Sequence, residues 1–165
     1  MYLRNYVETD AEKILSWLSN ERAFRLWSAD RYGKYPITPQ EINLNYNESS
    51  KISPFYPMTL VDDDDIIGHL ILRNPTEDKS VIRLGFIIVD NNLRGKGYGK
   101  KLLEFGIKYA KEELKAKTIN LGVFKNNEGA YKCYTSMGFK EVGIEKNAYV
   151  FNSESWDCIE LELNL

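Results

Sequence analysis

Apolar positions along the chain fall into two periods. Alternation and short apolar runs predict strands at residues 2–7, 57–61, 66–72, 118–124, 139–144 and 156–163. The last of these sets Ile159, Leu161 and Leu163 on one face and Glu160 and Glu162 on the other. The run 81–89 is different. It is apolar at eight of nine positions, Gly85 included, which predicts a strand covered on both faces. Helical spacing predominates over 100–115, where Leu102, Leu103, Gly106, Ile107, Ala110 and Leu114 form one stripe with lysines and glutamates opposite.

Start and stop signals place the remaining helices. Thr9-Asp10-Ala11-Glu12 has the form of a capping box opening a helix through Ile14, Leu15 and Leu18. Thr38-Pro39-Gln40-Glu41 repeats that form with proline at the first helical position, predicting a helix over about 39–48. A further helix over 128–137 is stopped by Gly138. Between the first two helices lies an irregular aromatic stretch with Phe24, Trp27, Tyr32 and Tyr35. Asp62-Asp63-Asp64-Asp65 joins two strands as a hairpin turn, since it lacks the alternation and glycine of a calcium loop. The predicted order is β-α-α-β-β-β-α-β-α-β-β. Strand 81–89, helix and strand 118–124 form a right-handed crossover between parallel strands. The expected fold class is therefore α/β, a mixed six- to seven-stranded sheet with helices on both faces, as one domain over 1–165.

The chemistry gathers at Leu93-Arg94-Gly95-Lys96-Gly97-Tyr98-Gly99-Lys100, between the apolar strand and the long helix. Glycines at alternate positions let the backbone curl, and consecutive amides in such a curl, followed by a helix N-terminus, cradle an anion. A P-loop is excluded because Lys100-Lys101 follows Gly99 with no hydroxyl for magnesium. A dinucleotide fingerprint is excluded by the glycine spacing, by the position past mid-chain and by Ile119 where an acid belongs.

Composition narrows the partners. The chain has 165 residues, net charge −2 and 43% hydrophobic residues, the profile of a soluble globular domain. Residues 94–117 hold eight Lys/Arg against three acids, a local +5, so the remainder carries −7. That balance argues against general nucleic-acid binding and suits a phosphorylated cofactor. Two cysteines, Cys133 and Cys158, make neither a disulfide framework nor a metal set. One histidine, His69, leaves a zinc site or Ser-His-Asp triad short of parts, and a structural role is its default. No run approaches membrane-spanning length and the start has no signal-peptide core, so a cytoplasmic location is expected.

Arg94-x-x-Gly97-x-Gly99 matches the pyrophosphate-loop signature of the GNAT superfamily of acetyl-CoA-dependent N-acetyltransferases, which the chain resembles. Downstream, Asn127, Ala130, Tyr134, Gly138 and Phe139 match that superfamily in type and spacing, where an N-capped helix alone would explain only Asn127 and Gly138. The resemblance is close over residues 80–140.

It implies a V-shaped cofactor gap between the two parallel central strands. Backbone groups of Ile87, Ile88 and Val89 would pair with the pantetheine arm of acetyl-CoA and polarise its thioester. Amides from Arg94, Gly95, Lys96, Gly97, Tyr98, Gly99 and Lys100 would take the pyrophosphate. Asn127 would contact the pantetheine, and Tyr134 would protonate the leaving thiolate as catalytic acid. No metal is implied. The implied partners are acetyl-CoA and an amine acceptor, with no nucleic acid and no membrane, and a homodimer is left open.

Two departures stand out. Positions where some members carry a glutamate base are Arg83 and Gly122 here. Asp90, Glu128, Glu8 and His69 remain as candidate bases. A catalytically silent acyl-CoA-binding module is the alternative those departures permit. The acceptor would meet residues 20–56, where Trp27, Tyr32, Tyr35, Tyr46, Phe55 and Tyr56 with Glu21, Asp30, Glu41 and Glu48 suit a cationic amine, or else are core.

Overall fold

The computed structural model describes residues 1–165. Seven strands, β1 (Tyr2–Asn5), β2 (Phe55–Asp62), β3 (Asp65–Arg73), β4 (Val81–Val89), β5 (Thr118–Phe124), β6 (Lys140–Phe151) and β7 (Glu154–Asn164), form one sheet. Their spatial order is β1-β2-β3-β4-β5-β7-β6, and β4–β5 is the parallel pair among antiparallel neighbours. Five helices complete the fold: α1 (Asp10–Ser16), α2 (Glu21–Ser28), α3 (Pro39–Ile52), α4 (Tyr98–Glu112) and α5 (Glu128–Ser136), with a 3-10 turn at Asn91–Leu93.

Strand alternation divides the core between the two faces. Leu70, Leu84, Leu121 and Leu161 meet Leu102 and Leu103 of α4 in the main cluster. Ile71 points the other way and packs with Phe24, Ile42 and Tyr46 beneath α2 and α3. Leu102 and Leu103 are fully buried, so truncating either to alanine costs about 2–5 kcal/mol. No helix is long and apolar enough to cross a membrane.

The strand 81–89, the parallel crossover and the hairpin at the aspartates form as the pattern predicts. Asp63 and Asp64 both take positive φ, +45° and +68°, the conformation a tight two-residue hairpin turn needs. Three expectations change. The aromatic stretch is in part a helix, α2, whose Asn20 side chain accepts the Ala23 amide at 2.8 Å. Its buried stripe is Phe24, Arg25 and Ser28 rather than leucines, so the apolar period is hidden.

Thr9 makes no capping bond. Asp10 is instead drawn inward, accepting from both guanidinium nitrogens of Arg4, from the Val7 amide and from Thr59 Oγ1. Burial alone would raise its pKa. The Arg4 guanidinium and the other donors outweigh that and hold it below the usual carboxylate value. Third, β6 runs to Phe151, well past residue 144, because it is an exposed edge strand with almost no buried positions to mark it.

Candidate active site

The sheet is split at its centre. β4 and β5 pair only at Val81–Thr118, Ile82–Ile119 and Arg83–Asn120, and then part. Beyond Arg83, the β4 backbone groups facing β5 have no strand partner. A second irregularity lies in the same segment. The β3–β4 register shifts between His69 and Ile71, and Phe86 adopts φ +47°, a bulge that twists β4 and re-aims its amides. Trp27 on α2 donates its indole N–H to the Phe86 carbonyl at 3.0 Å and pins the bulge from the opposite side. A cleft of about 1200 Å³ occupies the gap.

One wall of the cleft is the glycine loop. Asp90 accepts the Asn92 amide at 2.9 Å, closing the 3-10 turn that carries the chain away from β4. Gly95 and Gly97 follow with φ +75° and +88°, and Gly97 is the N-cap of α4. A side chain at either would meet nothing within 4 Å. Glycine is thus demanded there by conformation, and the space beside it is open. The Lys101 amide reaches the Gly97 carbonyl at 3.2 Å, so the amides of Tyr98, Gly99 and Lys100 have no acceptor within the helix. Those donors, with the dipole of a 15-residue helix behind them, suit a phosphate.

The facing wall is α5. Asn127 accepts the Ala130 amide at 3.4 Å through Oδ1, which leaves its side-chain NH₂ free. Two turns on, Tyr134 is 8% exposed and its hydroxyl has no protein partner. Burial, and then the nearby Cys133, push its pKa up, so the phenol keeps its proton at any working pH. Ile87, Ile88, Val89, Arg94, Gly95, Gly97, Gly99, Lys100, Asn127 and Tyr134 all line the cleft. The side chains of Lys96 and Tyr98 do not. Lys96 donates to the Asn92 carbonyl at 3.2 Å, and Tyr98 packs against the main core.

The open face beneath α2 holds residues the sequence pattern did not select. Arg83 donates to both Glu160 oxygens at 2.8 and 3.1 Å and to Asn120 at 3.1 Å. Gly122 makes room for that pair. A Cβ there would lie 2.9 Å from Arg83 Nη2 and 3.2 Å from Glu160 Oε1. The signal for Glu160 was its alternation on β7, opposite Gly122 in register, but a glutamate on that face equally fits solvent.

The candidate bases stay outside the cleft. His69 is fully buried, within 2.7 Å of the Tyr46 hydroxyl, and burial lowers its pKa to about 3. Asp90 is engaged in its turn, Glu128 pairs with Lys132 on an exposed face, and Glu8 is exposed. The aromatic acceptor site also dissolves. Tyr32 and Tyr46 are core, Phe55 packs on their cluster, and Tyr35 sets a tilted ring against Phe24. Tyr56 joins the main core beside Tyr109. Glu21, Glu41 and Glu48 pair with Arg25, Lys34 and Lys51. Of that set, Trp27 and Asp30 alone line the cleft.

Comparison with known proteins agrees with this architecture. The acetyltransferase (GNAT) family profile matches residues 20–139. A Schizosaccharomyces pombe protein of the UPF0039 group is 34% identical over 94 residues, covering 49% of this chain and 61% of its own length. Bacillus subtilis spermine/spermidine N(1)-acetyltransferase is 31% identical over 110 residues, covering 59% of this chain and 72% of its own. The crystal structure of Vibrio cholerae spermidine N-acetyltransferase with CoA and spermine superposes with a TM-score of 0.83 at 21% identity, over 98% of this chain and 94% of that one. With the profile spanning the split strands, the glycine loop and the α5 wall, the chain belongs to the acetyltransferase (GNAT) family.

Proposed function

We propose that the protein transfers an acetyl group from acetyl-CoA to a primary amine, of a small molecule or a peptide N-terminus, by direct attack in a ternary complex. The observation that carries this reading is the split between β4 and β5, which opens at one end on the orphan amides of α4 and along its side on the unpartnered Tyr134 hydroxyl. Bound acetyl-CoA would supply an acyl group activated as a thioester with a thiolate leaving group.

The residues divide the work. Amides of Arg94 to Lys100 take the pyrophosphate, and the Asn127 NH₂ and the free β4 groups hold the extended arm. Amides of the bulged segment Ile87–Val89 meet the negative charge that develops on the carbonyl oxygen, a preorganised oxyanion site. The acceptor approaches from beneath α2. Its ammonium, of pKa about 10.4 if lysine-like, first gives a proton to water in the open cleft. The free amine nitrogen then bonds the carbonyl carbon, the C–S bond breaks, and the nitrogen gives its surplus proton to water in the cleft. The thiolate sulfur accepts a hydrogen bond and finally a proton from Tyr134, whose phenolate regains one from solvent. The relatives named as polyamine acetyltransferases support an amine acceptor. Thiol release from acetyl-CoA, measured against a panel of amines, tests the reading. Amine-dependent release is expected, and acetyl-CoA binding with no amine accelerating release would reduce the protein to a binding module.

A further inference from the structure

The wall beneath α2 is cationic where it is least solvated. Arg73 and Arg83 face each other directly across the antiparallel β3–β4 pair, and both line the cleft together with Arg31. Like charges opposed across a ladder destabilise a sheet, by an amount of the order a favourable pair contributes. Glu160 relieves one of them, with both oxygens on Arg83. Arg73 receives no such relief. It is half-buried on the sheet floor, with no carboxylate within 4 Å and no side-chain hydrogen bond, while Arg31 stands exposed beside it, also unpaired. The other acids of the wall, Asp30 and Glu145, are exposed and pair with neither arginine. The charges acting on Arg73 agree with this placement: after burial they are Arg31 and Arg83, and both oppose its protonation.

A half-buried guanidinium with five donors and no acceptor is costly to leave so. Its fork geometry accepts a carboxylate or phosphate through two parallel bonds. The arginines sit on the face from which the acceptor must approach, at the pinched end of the gap, a few residues along β4 from the bulge.

We infer that the acceptor is a small anionic amine, whose carboxylate or phosphate group is held by Arg73 and Arg31 while its amine reaches the gap. This rests on the acetyl-transfer reading for which face the acceptor uses, but not on turnover. A polyamine has no group for these arginines and would be repelled by them.

Binding to CoA-loaded protein, followed by calorimetry, tests the inference without needing catalysis. The probes are L-aspartate, L-methionine, O-phosphoethanolamine, ethanolamine and spermidine, and the carboxylates against the phosphate decide which oxyanion fits. At least one anionic amine should bind roughly tenfold or more tightly than ethanolamine and spermidine, the size expected for a charge-assisted pair. Arg73→Gln should erase that preference, and the exposed Arg31→Gln should reduce it several-fold, with CoA affinity held in both. If Arg73→Gln does not fold, Arg31→Gln and the wild-type ranking still decide. Spermidine binding better than every anionic amine, or a preference surviving Arg31→Gln and Arg73→Gln unchanged, overturns it. Failure of CoA itself to bind would instead strike the functional proposal. If thiol release is seen, the same ranking should appear in kcat/KM, with the arginine variants acting on KM.

Discussion

The two walls of the cleft are built in opposite ways. The cofactor wall comes from one contiguous stretch, residues 94 to 134, as a loop and two helices whose glycines, asparagine and tyrosine stand at fixed offsets. The acceptor wall is assembled across the sheet from Trp27 and Arg31 near α2, Arg73 on β3, Arg83 on β4 and Glu160 on β7. On the proposed reading the first binds through backbone amides, so its side chains matter for what they leave open. The second, on the same reading, binds through side chains that could be exchanged without moving the fold. Chemistry common to a family can reside in the first wall, and specificity in the second.

The largest effect separating the walls should come from Tyr134→Phe. The hydroxyl has no protein partner, so its loss leaves no buried group unpaired, and stability should hardly change. If it protonates the thiolate, kcat should fall by roughly 10²–10⁴-fold with acetyl-CoA affinity intact. Full turnover in the folded variant, with the chemical step limiting, would confine the cofactor wall to binding.

The floor beneath the acceptor wall should respond to acid where the cofactor wall does not. His69 is the chain's one histidine, fully buried, with burial lowering its pKa to about 3. A group that resists protonation in the folded state contributes stability that is complete above the unfolded pKa, about 6.5, and is lost as pH falls toward 3. Between pH 7 and pH 5 the loss should reach about 2 kcal/mol. Asp10, held low by Arg4 and its other donors, adds to the loss only at lower pH. Urea midpoints that stay flat from pH 7 to 5 would show that water or a shifted ring rescues the buried imidazole.

Gly97→Val sharpens the contrast from the cofactor side. Valine at φ +88° is strained by about 1–2 kcal/mol, although nothing crowds its Cβ. The strain and the added methyls should cost more than tenfold in acetyl-CoA affinity by calorimetry. Anionic-amine selectivity should survive at saturating cofactor. Unchanged affinity in a folded variant would move the pyrophosphate elsewhere.

What could be read in advance follows the same division. The strand 81–89 is legible as an almost unbroken apolar run, and the stripe of α4 because one buried face imposes a helical period on contiguous residues. The loop and the Asn127–Tyr134 spacing are legible because each is tied to a single helix, α4 for the loop and α5 for the pair. α2 is obscured because a buried arginine and serine occupy its inner stripe. The Arg83–Glu160 pair is invisible because it depends on two registers, β4 with β5 and β5 with β7, across 77 residues of sequence. The aromatics of the first third suggested a cationic acceptor, but composition could not show that most of them face inward. Only the fold distinguishes a tyrosine under a helix from one over a cleft.

The smallest expected effect is the most discriminating within the acceptor wall. Glu160 neutralises Arg83, and the pair is only partly shielded from water, at 33% and 24% side-chain exposure. Glu160→Gln keeps the volume beside Gly122 and one acceptor for the guanidinium but removes the negative charge. If the wall recognises an anion, the released Arg83 should strengthen that recognition and lower KM for anionic amines by roughly two- to fivefold, the size of a partly exposed charge pair. The gain should shrink as salt is raised, because an exposed charge is screened. A carboxylate that accepted the amine proton would give the opposite result: kcat down by 10² or more, and relief at high pH where the amine is already neutral. The sign of one change therefore distinguishes a wall that selects the acceptor by charge from one that takes part in proton transfer. A loss of kcat would place Glu160 among the reacting groups, with Arg83 as the residue that positions it.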